Sequence, residues 1–300
     1  MFCPSYAIDH VMVEPVSAVT TVASTLAAKA KSDGLIKRML GPTADAMGSD
    51  LANWYDNRPN RIAQIAESAE RKLGHSLNEE GSVPSRVVAL ILGEGSYCDD
   101  RIMVEYLGGV LASSRTTDGR DDRGSRWVGT VTSLSAYDIR LHYLLYGAAM
   151  DWYLSKGLVI NWGDMESHPV SDVAVVFNAD DIVRSMEFSG SEIPNEILPE
   201  SLFALDSEDL IADWYVLPSA EFAKRALRIP WDAALGFRPT PKGIQLFMWA
   251  QGRGSIWGSF GQDTVDLSAI DCPLPKCLSL NDAKTFDQPV ATDGSGSVEI

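Results

Sequence analysis

Aspartates stand side by side three times in this chain, at Asp99-Asp100, Asp121-Asp122 and Asp180-Asp181, and Glu94 lies close before the first pair. Acid–base chemistry needs two such groups on one substrate, in environments that push their pKa values apart. Adjacency in sequence does not bring that about, and helix caps and turns are the commoner use of such acids. The histidines are His10, His75, His142 and His168, and none stands beside a nucleophile. Of the cysteines Cys3, Cys98, Cys272 and Cys277, the last two enclose Pro-Leu-Pro-Lys, a gap that zinc sites can use. Zinc needs four ligands, however, and no second Cys or His pair has matching spacing. Hydrolase-elbow, zinc-protease, deaminase and dinucleotide patterns are absent. Gly252, Gly254 and Gly258 lack the Lys-Ser/Thr partner of a phosphate cradle. The expectation is no catalytic residue, no metal and no cofactor.

Basic residues offer a different chemistry. Residues 114–127 carry Arg115, Arg120, Arg123 and Arg126 among Asp118, Asp121 and Asp122, with Gly119 and Gly124, a composition that predicts a mobile polar loop. Arg58 and Arg61 lie on an earlier helix. The candidate contact for an anion or a macromolecular partner is therefore Arg58, Arg61, Arg120, Arg123 and Arg126. The competing reading is a solvated loop, with Arg58, Arg61, Arg71 and Lys72 as solvent-facing charges.

The charge balance limits the partners. The net charge is −16, from 41 acidic and 25 basic residues. Such a balance favours solubility and opposes adhesion to nucleic acid or anionic membrane. Residues 161–221 hold 14 acidic residues against one basic residue, Arg184. That segment reads as a solvated acidic insertion, or as a surface that recruits a basic partner or mimics nucleic acid. No stretch approaches the ~20 apolar residues a membrane helix needs, and Met1-Phe2-Cys3-Pro4 opens no secretory signal. A reducing cytoplasm is expected.

The elements that would position these residues are mostly helical. Residues 11–40 read as an N-terminal helical segment. Within 41–132, Ala44, Met47, Leu51 and Trp54 recur at helical spacing. Pro59 starts a kink or new helix, which Ile62, Ile65, Ala66, Ala69 and Leu73 continue to a stop at Gly74. A short helix over 84–92 should break at Gly93-Glu94-Gly95. Asp99 then caps a helix whose stripe is Met103, Leu107, Val110 and Leu111, with Gly108-Gly109 admitting a neighbouring backbone. Ser135 and Asp138 form a capping box for a helix with Ile139, Tyr143, Tyr146, Met150, Tyr153 and Leu154 on its inner face. Lys156-Gly157 ends it, and Leu158-Val159-Ile160 should follow as a strand. His142 reads as a core or edge histidine. Further strands are expected at 173–177 and 235–238, and a short helix at 218–227. Ser189–Ser207, with Pro194 and Pro199, should be a loop with turns. Thr240-Pro241 opens a helix running to Ala250, helped into the core by Ile244, Phe247 and Trp249.

The fold expected is mainly α: a multi-helix N-terminal domain, then a winged-helix-like α+β module over 133–250 with the acidic insertion 161–221. Residues 251–300 read as irregular, with a flexible tail over at least 281–300.

The run from Leu40-Gly41-Pro42 through Gly48, Arg58 and Asn60 into the Ile/Ala helix resembles the opening of the abortive-infection alpha family of bacterial phage-defence proteins. Two further blocks look similar: the Gly-Val-Leu-Ala-Ser-Ser ending of the helix after Asp99-Asp100, and Thr240-Pro241-Lys242-Gly243 with Phe247. The likeness covers about 40–250 in spaced blocks and departs at Pro59 and in the longer, more acidic 161–221. It implies a defence role, often through growth arrest of the infected cell, and no established catalytic residues. The functional expectation is a defence protein contacting a protein partner or phage component, compatible with an oligomer. The alternatives are a nucleic-acid-binding winged-helix regulator using Arg120, Arg123 and Arg126, and a toxin-like enzyme.

Overall fold

The computed structural model describes residues 34–35, 38, 59–95, 97–158, 174–225, 227–254, 260 and 273–279. The expectations for residues 11–33, the stripe 44–54, Arg58, the strand residues Val159 and Ile160, and the tail 281–300 lie outside them. The described residues form a mainly helical α+β structure whose C-terminal half builds a four-stranded antiparallel sheet interleaved with helices.

Helix α1, Pro59–Leu73, begins on its proline, where a missing N–H breaks no helical bond. Its apolar stripe Ile62, Ile65, Ala66 and Ala69 is buried, and Gly74, at φ 52°, ends it. Helix α2, Ser85–Gly95, does not break at Gly93. It continues to Gly95, which packs beneath Ile65. Helix α3, Arg101–Ser113, is capped by Asp100 rather than Asp99: the Asp100 carboxylate accepts from the Ile102 N–H at 2.8 Å. Arg61 meets Asp99, and Ser68 meets Glu105, so α1 and α3 run parallel.

The polar loop is shorter than expected. Helix α4, Gly124–Ser133, takes up its end because Trp127, Val128 and Val131 bury one face. The capping box forms as the spacing predicts, with the Ser135 N–H donating to Asp138 at 2.8 Å. It opens α5, Ala136–Lys156, which stops at left-handed Gly157. Instead of one inner face, α5 buries every residue from Leu141 to Met150. Helices and sheet surround it, so residues such as Leu144 and Leu145 contribute about 2 kcal/mol each by leaving water.

Strand β1, Val175–Asn178, leads directly into α6, Ala179–Ser185. The expected loop at 189–207 is instead largely α7, Pro194–Ser207. Pro199 inside it costs roughly 3 kcal/mol by removing a helical hydrogen bond. Burial of Leu198, Leu202 and Leu205 on one face outweighs this, at about 2 kcal/mol each. Strand β2, Ile211–Pro218, short helix α8, Ser219–Ala223, strand β3, Ala233–Pro239, helix α9, Pro241–Ala250, and strand β4, Cys277–Ser279, complete the structure. Strand order is β2-β3-β1-β4.

Neither β2 nor β4 was anticipated, and β4 makes 277–279 part of the sheet rather than irregular chain. The described part of the acidic stretch supplies β1, β2 and α7, so it is woven into the core instead of standing apart as an insertion. Among the described residues no helix is long and apolar enough to cross a membrane.

Candidate functional site

The candidate contact arginines with described positions do not lie together. Arg58 lies outside the described residues. Arg61 sits beside Asp99 at 3.6 Å, at the N-terminal end of α3, and reaches Gln64 at 3.1 Å. The loop arginines lie at the opposite end of that 13-residue helix, about 20 Å away at 1.5 Å per residue.

Within the loop the charges are largely satisfied. Arg123 donates to both oxygens of Asp121, with Nε–Oδ1 at 2.8 Å and Nη2–Oδ2 at 2.5 Å. That partner holds the Asp121 carboxyl below its ordinary range. Arg126 is on α4, where its guanidinium lies 4.5 Å from the Trp127 ring centre and donates to Gln245 of α9 at 3.0 Å. Arg115 clamps the loop to the preceding chain through the carbonyls of Ser76 and Glu79, at 3.0 and 2.6 Å. Asp122 pairs with Arg86 at 3.2 Å. Arg120 is exposed, and among the described residues its side chain meets no partner.

The remaining candidate acids and thiols also serve structure. Asp100 caps α3 and reaches Arg140, while Asp181 pairs with Arg184. Burial first, then the carboxylates Glu94 and Asp99, push the Cys98 thiol above its ordinary value, which leaves little thiolate for chemistry. Cys277 lies in β4, with its thiol against the Ala148 carbonyl. Cys3, Cys272, His10 and His168 fall outside the described residues, among which no group of three His, Cys, Asp or Glu side chains could hold a metal ion.

Two buried polar assemblies are better formed than the loop. In the first, Glu105 of α3 is almost fully covered. Its carboxylate accepts from Ser68 at 2.7 Å and pairs with Arg71 at 2.7 Å and Lys72 at 3.2 Å. Desolvation raises its pKa, yet Lys72, Ser68 and Arg71 together prevail and hold it below the ordinary carboxylate value. Lys72 is thus no solvent-facing charge: its side chain is 9% exposed. Glu105 could have been noticed as the one charge inside the apolar run 102–112. Its partners come from another helix, which sequence spacing does not reveal.

In the second, His142 of α5 stands between Tyr106 and Gly243. The Gly243 carbonyl can only accept, so Nε2 carries the proton and donates to it at 3.2 Å. Nδ1 then accepts from the Tyr106 hydroxyl at 2.7 Å. Desolvation drives the imidazole pKa down to about 3 despite the Gly243 bond. One turn on, the Tyr146 hydroxyl donates to the Leu210 carbonyl and accepts from the Thr240 N–H at 3.1 Å. Burial pushes that phenol well above its ordinary value, so it stays a neutral strut. A side chain on Gly243 would overlap Tyr146 and Leu210. Both assemblies tie helices together, and neither presents a reactive group to solvent. No protein-family model, curated protein or solved structure matches the chain.

Proposed function

We propose that this chain is a bacterial anti-phage protein of the abortive-infection alpha type, acting through macromolecular contacts rather than catalysis. The observation that carries the reading is the packing of the helices that hold the described parts of the three resembling blocks, which for the first block is Pro59–Leu73. Gly108 on α3 lies against the Ile65 carbonyl of α1, and Gly109 lies against Ala250 of α9. Ser113 donates to the Trp249 carbonyl at 2.9 Å, and Thr240 caps α9 through the Gly243 N–H at 3.0 Å. Blocks far apart in sequence share one packed unit, which supports reading them as a single inherited pattern. The antiparallel β2–β3 pair leading through Thr240-Pro241 into α9 supports the finer reading of 133–250 as winged-helix-like.

The structural employment of Asp100, Asp121, Asp122 and Asp181 supports a non-catalytic role. Nucleic acid is disfavoured as the partner. Phosphate backbones are held by several unpaired cations, and Arg61, Arg123 and Arg126 already have partners. The test is plaquing on bacteria with and without this gene and its neighbours. Protection against some phages is expected, and equal plaquing across a broad panel would remove the defence reading. Binding to nucleic acid at low salt that weakens steeply as salt rises would replace it with the regulator reading.

A further inference from the structure

An aromatic pair, one ring exposed and one partly buried, lies on the acidic part of the chain. Phe203 of α7 is 62% exposed, and it meets Trp214 of β2 edge-on with ring centres 4.9 Å apart. Val216, two residues further along β2 and so on the same face, is 42% exposed. An irregularity in the β2–β3 register between Ala212 and Tyr215 sets the Trp214 position. Asp213 takes a left-handed φ of 48° there and is pinned by Arg238, with Nε–Oδ2 at 2.7 Å. A strained residue held by an ion pair therefore sets a partly buried tryptophan, packed against the core, beside an exposed phenylalanine.

β2 is also an outermost strand: among the described residues no strand pairs with its outer side. The frame of the patch is negative. Glu200 and Asp206 lie one turn to either side of Phe203 on α7. Both are exposed, and neither has a cationic partner among the described residues. α7 itself holds no basic residue.

We propose that Phe203, Trp214 and Val216 form a docking surface for a basic polypeptide segment, one that lays an apolar side chain over the paired rings and sets lysines or arginines against Glu200 and Asp206. Charge complementarity selects this occupant: the aromatic rings attract cations as well as apolar groups, and the flanking carboxylates repel an acidic segment. The surface stands on geometry alone and does not depend on a role in phage defence.

The test uses a random 12-residue peptide library selected on the full-length chain, followed by affinity measurement of the enriched peptides. Enrichment of basic peptides with an apolar anchor is expected. Their affinity should fall at least tenfold in Phe203→Ser and in the double variant Glu200→Lys/Asp206→Lys, and should weaken as salt rises. Because these side chains are exposed, melting temperatures should stay close to that of the parent chain, which separates lost docking from lost folding. Absence of enrichment, enrichment of acidic peptides, or binding indifferent to Phe203→Ser would overturn the proposal. Self-association of the chain abolished by Phe203→Ser would also overturn it, by assigning the face to a second copy.

Discussion

Gly109 of α3 lies against the Ala250 carbonyl at the end of α9 so closely that any Cβ at position 109 would overlap it. The contact holds the N-terminal helices to the last helix of the sheet region. Gly109→Ala must push the two backbones apart, and overpacking of this kind costs roughly 3 kcal/mol. Urea denaturation should show that loss, while Gly129→Ala, with open space around it, should not destabilise the chain.

Glu105 joins α1 to α3 through an ion pair shielded from water. Glu105→Gln leaves Lys72 without its carboxylate, a change expected to cost about 3 kcal/mol as for other broken buried pairs. The pH dependence has a definite sign. The folded-state pKa lies below the unfolded value, so the contribution is present above the ordinary carboxylate range and is lost as pH falls through the folded value. Stability of the parent chain measured from pH 6 down to 3 should therefore fall more steeply than that of Glu105→Gln.

His142 gives a second window. Unfolded, it takes up a proton near pH 6.5; folded, it resists until about 3. Its contribution is complete above 6.5 and declines as pH falls towards 3, by about 1.4 kcal/mol per unit. His142→Asn should remove this slope. Imidazole NMR shifts of the folded chain should show no titration at His142 between pH 8 and 5. A midpoint near 6.5 would refute the assignment.

At the start of α5, Ser135 and Asp138 satisfy each other's backbone N–H groups. Ser135→Ala should cost about 1 kcal/mol, visible in thermal melting, whereas Ser133→Ala, on an exposed helix end, should be close to neutral.

How far the sequence was legible follows from the range of each interaction. The capping box at Ser135, the stop at Gly157 and the Thr240-Pro241 start rest on residues within one turn of each other, and all appear in the structure. Gly108-Gly109 announced a close approach without saying which backbone approaches. α7 was hidden because Pro199 and the acidic composition suggest a loop, while its three buried leucines count only once α5 is in place. β2 alternates poorly because its register slips, and three-residue β4 is defined by pairing with β1, about a hundred residues earlier. The placement of the basic candidates was hidden for the same reason: Arg61 and the loop arginines lie at opposite ends of α3, a separation that the sequence does not show.

The most direct measurement is plaque formation on cells expressing the parent chain, together with alanine variants of Asp121-Asp122 and Asp180-Asp181 shown to melt like the parent. The account predicts protection by the parent and undiminished protection by both variants, since Asp121, Asp122 and Asp181 pair with neighbouring arginines and Asp180 is an exposed residue in the first turn of its helix. Plaquing equal to that of cells without the gene, or protection abolished in a stably folded carboxylate variant, would contradict it.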